Sequence, residues 1–178
     1  MRKIVLTFGL IAGAILSAMM LITLLFQDQI GFDKGAIVGY TTMVIAFLMV
    51  FFGVKSYRDN VEGGSVTFGR AFKVGLMITA VASVCYVTTW EVIYYQLAPD
   101  FGDKYAADSL EKAKKSGATD AQVAAQVKQG AEFMEMYKNP LLNIAITFLE
   151  PLPVGIVFTL VAAGLLSRKR PADGAAIA

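Results

Sequence analysis

The chain contains no histidine and a single cysteine. The first absence removes the side chain most used for proton transfer near neutral pH and for metal ligation. The second excludes an internal disulfide and any cysteine-cluster metal site. There is no P-loop, no G-x-S-x-G turn and no H-E-x-x-H helix, and serine and threonine occur without a histidine base. Charge is scarce as well. Only 17% of the 178 residues are charged, and the net charge is +2. Soluble domains carry about 25%. So small a positive excess gives no footing for nucleic acid. From these residues no metal, no cofactor and no catalytic group is expected, and the chain does not read as an enzyme.

What replaces charge is apolar. Hydrophobic residues make up 56% of the chain, and mean hydropathy is +0.59. A chain this short cannot hide that much apolar surface from water. The expectation is an all-α, four-helix integral membrane bundle forming one membrane domain over residues 1–178. Four apolar runs, at 4–26, 35–54, 74–97 and 141–166, supply the spans. At about 1.5 Å per residue, each can cross a hydrocarbon core roughly 30 Å thick. In lipid, backbone groups must be satisfied within the segment, so the runs read as helices. Arg2 and Lys3 before the first run, with Ala12-Gly13-Ala14 inside it, resemble a signal peptide. The apolar stretch continues to Phe26, which favours an uncleaved span.

Basic residues orient the bundle. They cluster at Arg2 and Lys3, in the loop 55–73, and in the tail 167–178 at Arg168, Lys169 and Arg170. The loop Gln27 to Lys34 has Lys34 alone against Asp28 and Asp33. Both termini and loop 55–73 are therefore expected in the cytoplasm, and segment 100–139 on the outer side. In loop 55–73, Arg70 and Lys73 share one helical face, and Phe68 and Phe72 another. This is an amphipathic lead-in to the third span. It reads as an interface anchor, or more sharply as a surface for a lipid headgroup or cytoplasmic partner.

The outer segment reads as a helical hairpin. Lys104 to Lys115 forms one helix, and Ser116-Gly117-Ala118 breaks it. Thr119 and Gln122 are spaced as a capping box for the next helix, which ends near Lys138 before Pro140. On it Val123, Val127, Gly130, Met134 and Tyr137 form a narrow apolar seam. The seam packs on the preceding helix or the membrane-proximal surface, or else meets a partner or a second copy. Small residues recur at helix-packing spacing: Gly9, Gly13 and Ser17; Gly35 and Gly39; Gly155, Thr159 and Ala163. Spacing alone does not say whether these contacts lie within or between chains. Thr7-Phe8-Gly9 recurs as Thr67-Phe68-Gly69, which suits either a repeated hairpin or coincidence.

Glu91 and Glu150 are the charges inside the long runs. An ionisable residue at membrane depth is a functional candidate. Glu91 follows Val74, and Glu150 precedes Ser167, by the same number of residues. Both stand about 25 Å from the cytoplasmic boundary. Trp90, Tyr94 and Tyr95 around the first suggest an interfacial aromatic belt. Pro151 and Pro153 after the second suggest a helix start at Pro151. The plain reading is a pair of carboxylates marking the outer water boundary. The sharper one has them facing each other in a polar site extended by Tyr86, Thr88 and Thr89, where one would hold a proton. Cys85 reads as a packed small apolar residue.

The block Gly53-Val54-Lys55-Ser56-Tyr57-Arg58-Asp59, then Gly63-Gly64, then Thr67-Phe68-Gly69-Arg70-Ala71-Phe72-Lys73-Val74-Gly75 is distinctive. With Tyr94-Tyr95, Pro99, the charged outer segment and the basic tail, it resembles the bacterial membrane family known as domain of unknown function 4199. The resemblance spans roughly Ile4 to Arg170. It implies a four-helix protein of the bacterial inner membrane and supplies no activity, cofactor or catalytic residue. The expectation is a structural or accessory component with an outer hairpin available to an envelope partner. The alternative is a small oligomeric proton- or cation-coupled transporter or channel subunit using Glu91 and Glu150.

Overall fold

In the computed structural model, residues 1–167 are described, and they form helices joined by short turns, with no strand among them. The basic tail at Arg168 to Arg170 lies outside the described residues. Helix α1 (Arg2–Leu25) and α2 (Gln27–Asn60) follow with scarcely a break. The loop expected at Gln27 to Lys34 is instead helical, kinked at Gly31 (φ 73°, ψ 167°). Glycine adopts that positive φ without a Cβ clash, which lets the chain reverse in one residue. Helix α3 (Phe68–Val92) is started by Thr67, whose side chain accepts from the Arg70 amide, and runs into a π-helical turn, Ile93–Leu97. The hairpin is α4 (Phe101–Lys115) and α5 (Asp120–Tyr137), and both halves of the Thr119–Gln122 capping box are formed.

The last run is broken in two, α6 (Pro140–Leu149) and α7 (Leu152–Leu166). Pro151 and Pro153 have no N–H to return to the preceding turn, so the helical ladder lapses at Glu150. Four stretches are long and apolar enough to cross a membrane: Arg2–Leu25, Gln27–Asn60, Phe68–Leu97 and Pro140–Leu166. Leu10, Ile37, Ile45, Val84 and Val157 stand exposed around the bundle. Such a belt is rare on a soluble monomer and suits lipid contact. The molecule is a multi-pass membrane protein.

Helices α2 and α3 each contact both α1 and α7, which therefore flank them. Glycines set the approach. A Cβ on Gly9 would lie 2.7 Å from Val81, and one on Gly13 2.6 Å from Cys85. Gly53 faces Ile78 and Phe8, Gly75 faces Thr159, and Gly155 faces Thr79. These small-residue contacts lie within the chain. Gly9 is buried mid-helix while Gly69 has open space beside it, and Thr7 sits inside α1 while Thr67 caps α3. The two Thr-Phe-Gly stretches are thus not equivalent. Towards the α2–α3 loop the bundle is solid: Phe47, Val50, Val54, Val74 and Ile78 are all but fully buried. Towards the hairpin it is not.

Candidate functional site

A cavity of about 570 Å³ occupies the hairpin half of the bundle. Met19, Met20 and Leu24 of α1 form one wall, and Gly35, Gly39 and Met43 of α2 another. Tyr86, Trp90 and Thr147 lie opposite, with Glu150 at the α6–α7 break. Phe101, Tyr105, Phe133 and Met134 of the hairpin roof it.

The polar edge is ordered by hydrogen bonds. Tyr86 donates its hydroxyl to Glu150 Oε2 at 2.7 Å. Trp90 Nε1 donates to the Tyr137 hydroxyl at 2.8 Å. Tyr137 and Thr147 hydroxyls lie 3.0 Å apart, and Thr147 donates to Asn143 Oδ1 at 3.2 Å. The chain of groups ties α3, α5 and α6 together. Burial lifts the Tyr137 phenol above its ordinary range, so it stays protonated and available as a donor. Gln27 Nε2 is buried without a partner, and Gln27 lines the cavity.

Of the expected polar site, Glu150 and Tyr86 come together. Glu91 does not join them. It lies five residues beyond Tyr86, about 140° round the helix, so it points elsewhere when Tyr86 faces Glu150. Its Oε1 is buried and unpaired. The Thr89 hydroxyl donates to the Cys85 carbonyl and lies 2.7 Å from Ser17 Oγ, whose own hydroxyl can donate to it, bracing α3 on α1. Thr88 returns its hydroxyl to the Val84 carbonyl on the exposed side. Trp90, Tyr137, Thr147, Asn143 and Gln27 are the groups that the sequence did not single out as one site. The bonds that join Trp90, Tyr137 and Thr147 run between helices, so spacing carried no signal for them.

The seam of α5 looks across at α4 without packing closely on it: Val127 is 49% exposed and Gly130 has open space beside it. Val123, Val127, Gly130 and Met134 border a gap between α4 and α5, and Tyr137 is held by Trp90 and Thr147. The hairpin is stitched to α2 by Phe32, whose ring meets Phe101 and Tyr105 edge-on at 5.5 and 5.4 Å. Lys112 adds ion pairs to Asp33 and Asp108. Among the described residues, no three His, Cys, Asp or Glu side chains gather as metal ligands would.

At the opposite end, Glu62 accepts from the Tyr57 hydroxyl at 2.6 Å and pairs with Arg70 at 2.5 Å. These two contacts, Tyr57 first, hold the Glu62 carboxyl below the usual range. Gly63 and Gly64 take positive φ, and the Gly64 amide donates to the Arg58 carbonyl. Phe68 and Phe72 stack at 6.1 Å, while Lys73 is exposed.

The profile of the family described as "Protein of unknown function (DUF4199)" matches residues 7–168, nearly the whole chain. The chain belongs to the DUF4199 family. No curated protein and no solved structure matches it. In this DUF4199 member, the distinctive block from Gly53 to Gly75 builds the α2–α3 turn: Tyr57 and Arg70 clamp Glu62, two glycines turn the chain, and Thr67 starts α3. The block's end glycines, Gly53 and Gly75, sit at close helix contacts, against Ile78 and Thr159.

Proposed function

We propose that this DUF4199 protein is a non-catalytic accessory component of the bacterial inner membrane, with its working end on the outer side. The observation that carries the reading is the asymmetry of the bundle. The half towards the basic loop is filled by Phe47, Val50, Val74 and Ile78, while the other half holds the cavity and its hairpin roof. A blind, one-ended bundle suits docking better than passage. The basic residues at Arg2, Lys3, Lys55, Arg58, Arg70 and Lys73 support a cytoplasmic side for the filled half, by the positive-inside rule. The hairpin then projects outward, and its exposed Phe133 and Met136 offer apolar contact to an envelope protein.

The transport alternative draws on the Tyr86–Glu150 hydrogen bond, a titratable pair at membrane depth. Among the described residues, the buried polar groups nearest that pair and deeper in the bundle are Thr42, Ser83, Thr79 and Thr159, a short set that suits passage only in an oligomer. The test is photo-crosslinking from position 128 on the hairpin in native membranes, with oligomeric state measured alongside. One stoichiometric envelope protein, lost on Met136→Glu, is the expected product. Homo-oligomers that carry a proton or cation flux sensitive to Glu150→Gln would overturn it.

A further inference from the structure

The geometry points to a binding site in the hairpin-side cavity for one amine-headed phospholipid, with an acyl chain inside and its ammonium at Glu150. This goes beyond the accessory reading and holds whichever protein meets the hairpin. A volume of about 570 Å³ falls in the range of small-molecule sites, roughly 300–1,000 Å³. It suits one chain and part of a head, not a whole two-chain lipid. The apolar wall is rich in methionine, with Met19, Met20 and Met43. Thioether side chains adapt to a flexible chain. Gly35 and Gly39 add no side chain to the α2 wall and widen the cavity there.

Entry is sideways from the bilayer. Hairpin aromatics close the top. Tyr40 and Glu150 both border the cavity and are exposed on the bundle's flank. Around Tyr40 stand exposed Ile37 and Val44, which belong to the lipid-facing belt. A ligand arriving by this route is already dissolved in lipid.

Charge selects the head. Among the described residues, neither Lys nor Arg lines the cavity, so an anionic head would meet Glu150 with no described cation beside it to offset the repulsion. Glu150 gives Oε2 to Tyr86 and keeps Oε1 for a donor. The unpaired Gln27 Nε2 is a donor that seeks an acceptor, as an ester carbonyl or phosphate oxygen would be. Ethanolamine phospholipid supplies an N–H donor and such acceptors in one molecule. Choline phospholipid has the acceptors and no N–H.

The only tryptophan of the chain, Trp90, lines this cavity and reports on it. Full-length protein is reconstituted in phosphatidylcholine vesicles and titrated with phosphatidylethanolamine brominated on one acyl chain. Brominated phosphatidylcholine and phosphatidylglycerol serve as parallel probes. Saturable quenching by the ethanolamine lipid at a lower mole fraction than either of the others is expected. Gly39→Phe puts a ring at the cavity wall from a position where a Cβ meets nothing within 4 Å, and should abolish the preference. Gly35→Leu gives a second blocked form should the first fold poorly. Glu150→Gln should weaken the preferred binding ~10-fold, the scale of a lost charged hydrogen bond. Equal quenching by the three lipids, a preference for phosphatidylglycerol, or a preference that survives both glycine variants overturns the site. Saturable binding indifferent to Glu150→Gln overturns the place of the ammonium.

Discussion

Thr79 and Thr159 meet hydroxyl to hydroxyl at 3.4 Å in the fully buried contact of α3 with α7. Each also covers the glycine four residues before the other, Thr79 over Gly155 and Thr159 over Gly75. The same Gly-x-x-x-Thr spacing thus appears on two antiparallel helices and closes on itself. Small residues bring the backbones together, and the two hydroxyls satisfy each other where no water can.

That contact predicts a sharp cost for one methyl. Gly155→Ala would set its Cβ on the Thr79 methyl and should destabilise the protein by ~1–3 kcal/mol, as overpacking does. Gly39→Ala, beside open space, should be neutral or stabilising. Unfolding midpoints in mixed detergent compare the two; equal losses would remove the helix contact as the cause.

Trp90→Phe keeps a ring and removes the Nε1 bond to Tyr137. A single hydrogen bond is worth ~1 kcal/mol, or ~5-fold in an opening equilibrium. Limited proteolysis should cut α4–α5 about that much faster, with the spans unaffected.

The Lys112–Asp33 ion pair should matter little by comparison. Both side chains are well exposed, at 42% and 78%, and such pairs contribute ~0–1 kcal/mol. Lys112→Gln is expected to leave the hairpin's protease resistance unchanged in high salt. A large salt-independent effect would show that the pair, not the aromatic contacts, holds the roof.

Glu62 predicts an acid response at the α2–α3 turn. Its hydrogen bond from Tyr57, and then its contact with Arg70, lower its pKa in the folded protein. The unfolded state therefore binds the proton at higher pH. The stabilising contribution is full above the unfolded value of about 4.3 and fades as pH falls through the folded value. Thermal midpoints should drop below that pH in the natural protein, and the drop should be shallower in Glu62→Gln.

Topology is checked with the single cysteine removed by Cys85→Ser. Ser116 and Ser65 are both exposed, one on the hairpin and one on the α2–α3 turn. An impermeant maleimide added to whole cells should label Ser116→Cys and spare Ser65→Cys. The reverse pattern would invert the bundle.

Much of this architecture is legible in one dimension because lipid imposes it locally. Apolar run length marked the spans, Thr119 with Gln122 marked the start of α5, and Gly117 marked the hairpin turn. Polar Gln27 to Lys34 marked the reversal between α1 and α2, but not that the stretch would stay helical and kink at Gly31, because a single positive-φ glycine inside a helical run leaves no loop signature of its own. The two glutamates matched in depth, and depth is a count along the chain. Their facing is a matter of phase around two helices, and Pro151 and Pro153 reset that phase on α6–α7.

Composition by itself determined that the chain belongs in a membrane, since so much apolar surface has no other solvent. It also determined where backbone must be helical and which end carries the positive charge. Tertiary structure decided what residues far apart in sequence do together. It turned Gly9, Gly13 and Gly155 inward, left a gap between α4 and the α5 seam, and gave Glu150 to Tyr86 rather than to Glu91. Those outcomes depend on how helices rotate and cross, which side-chain packing sets and local periodicity does not encode.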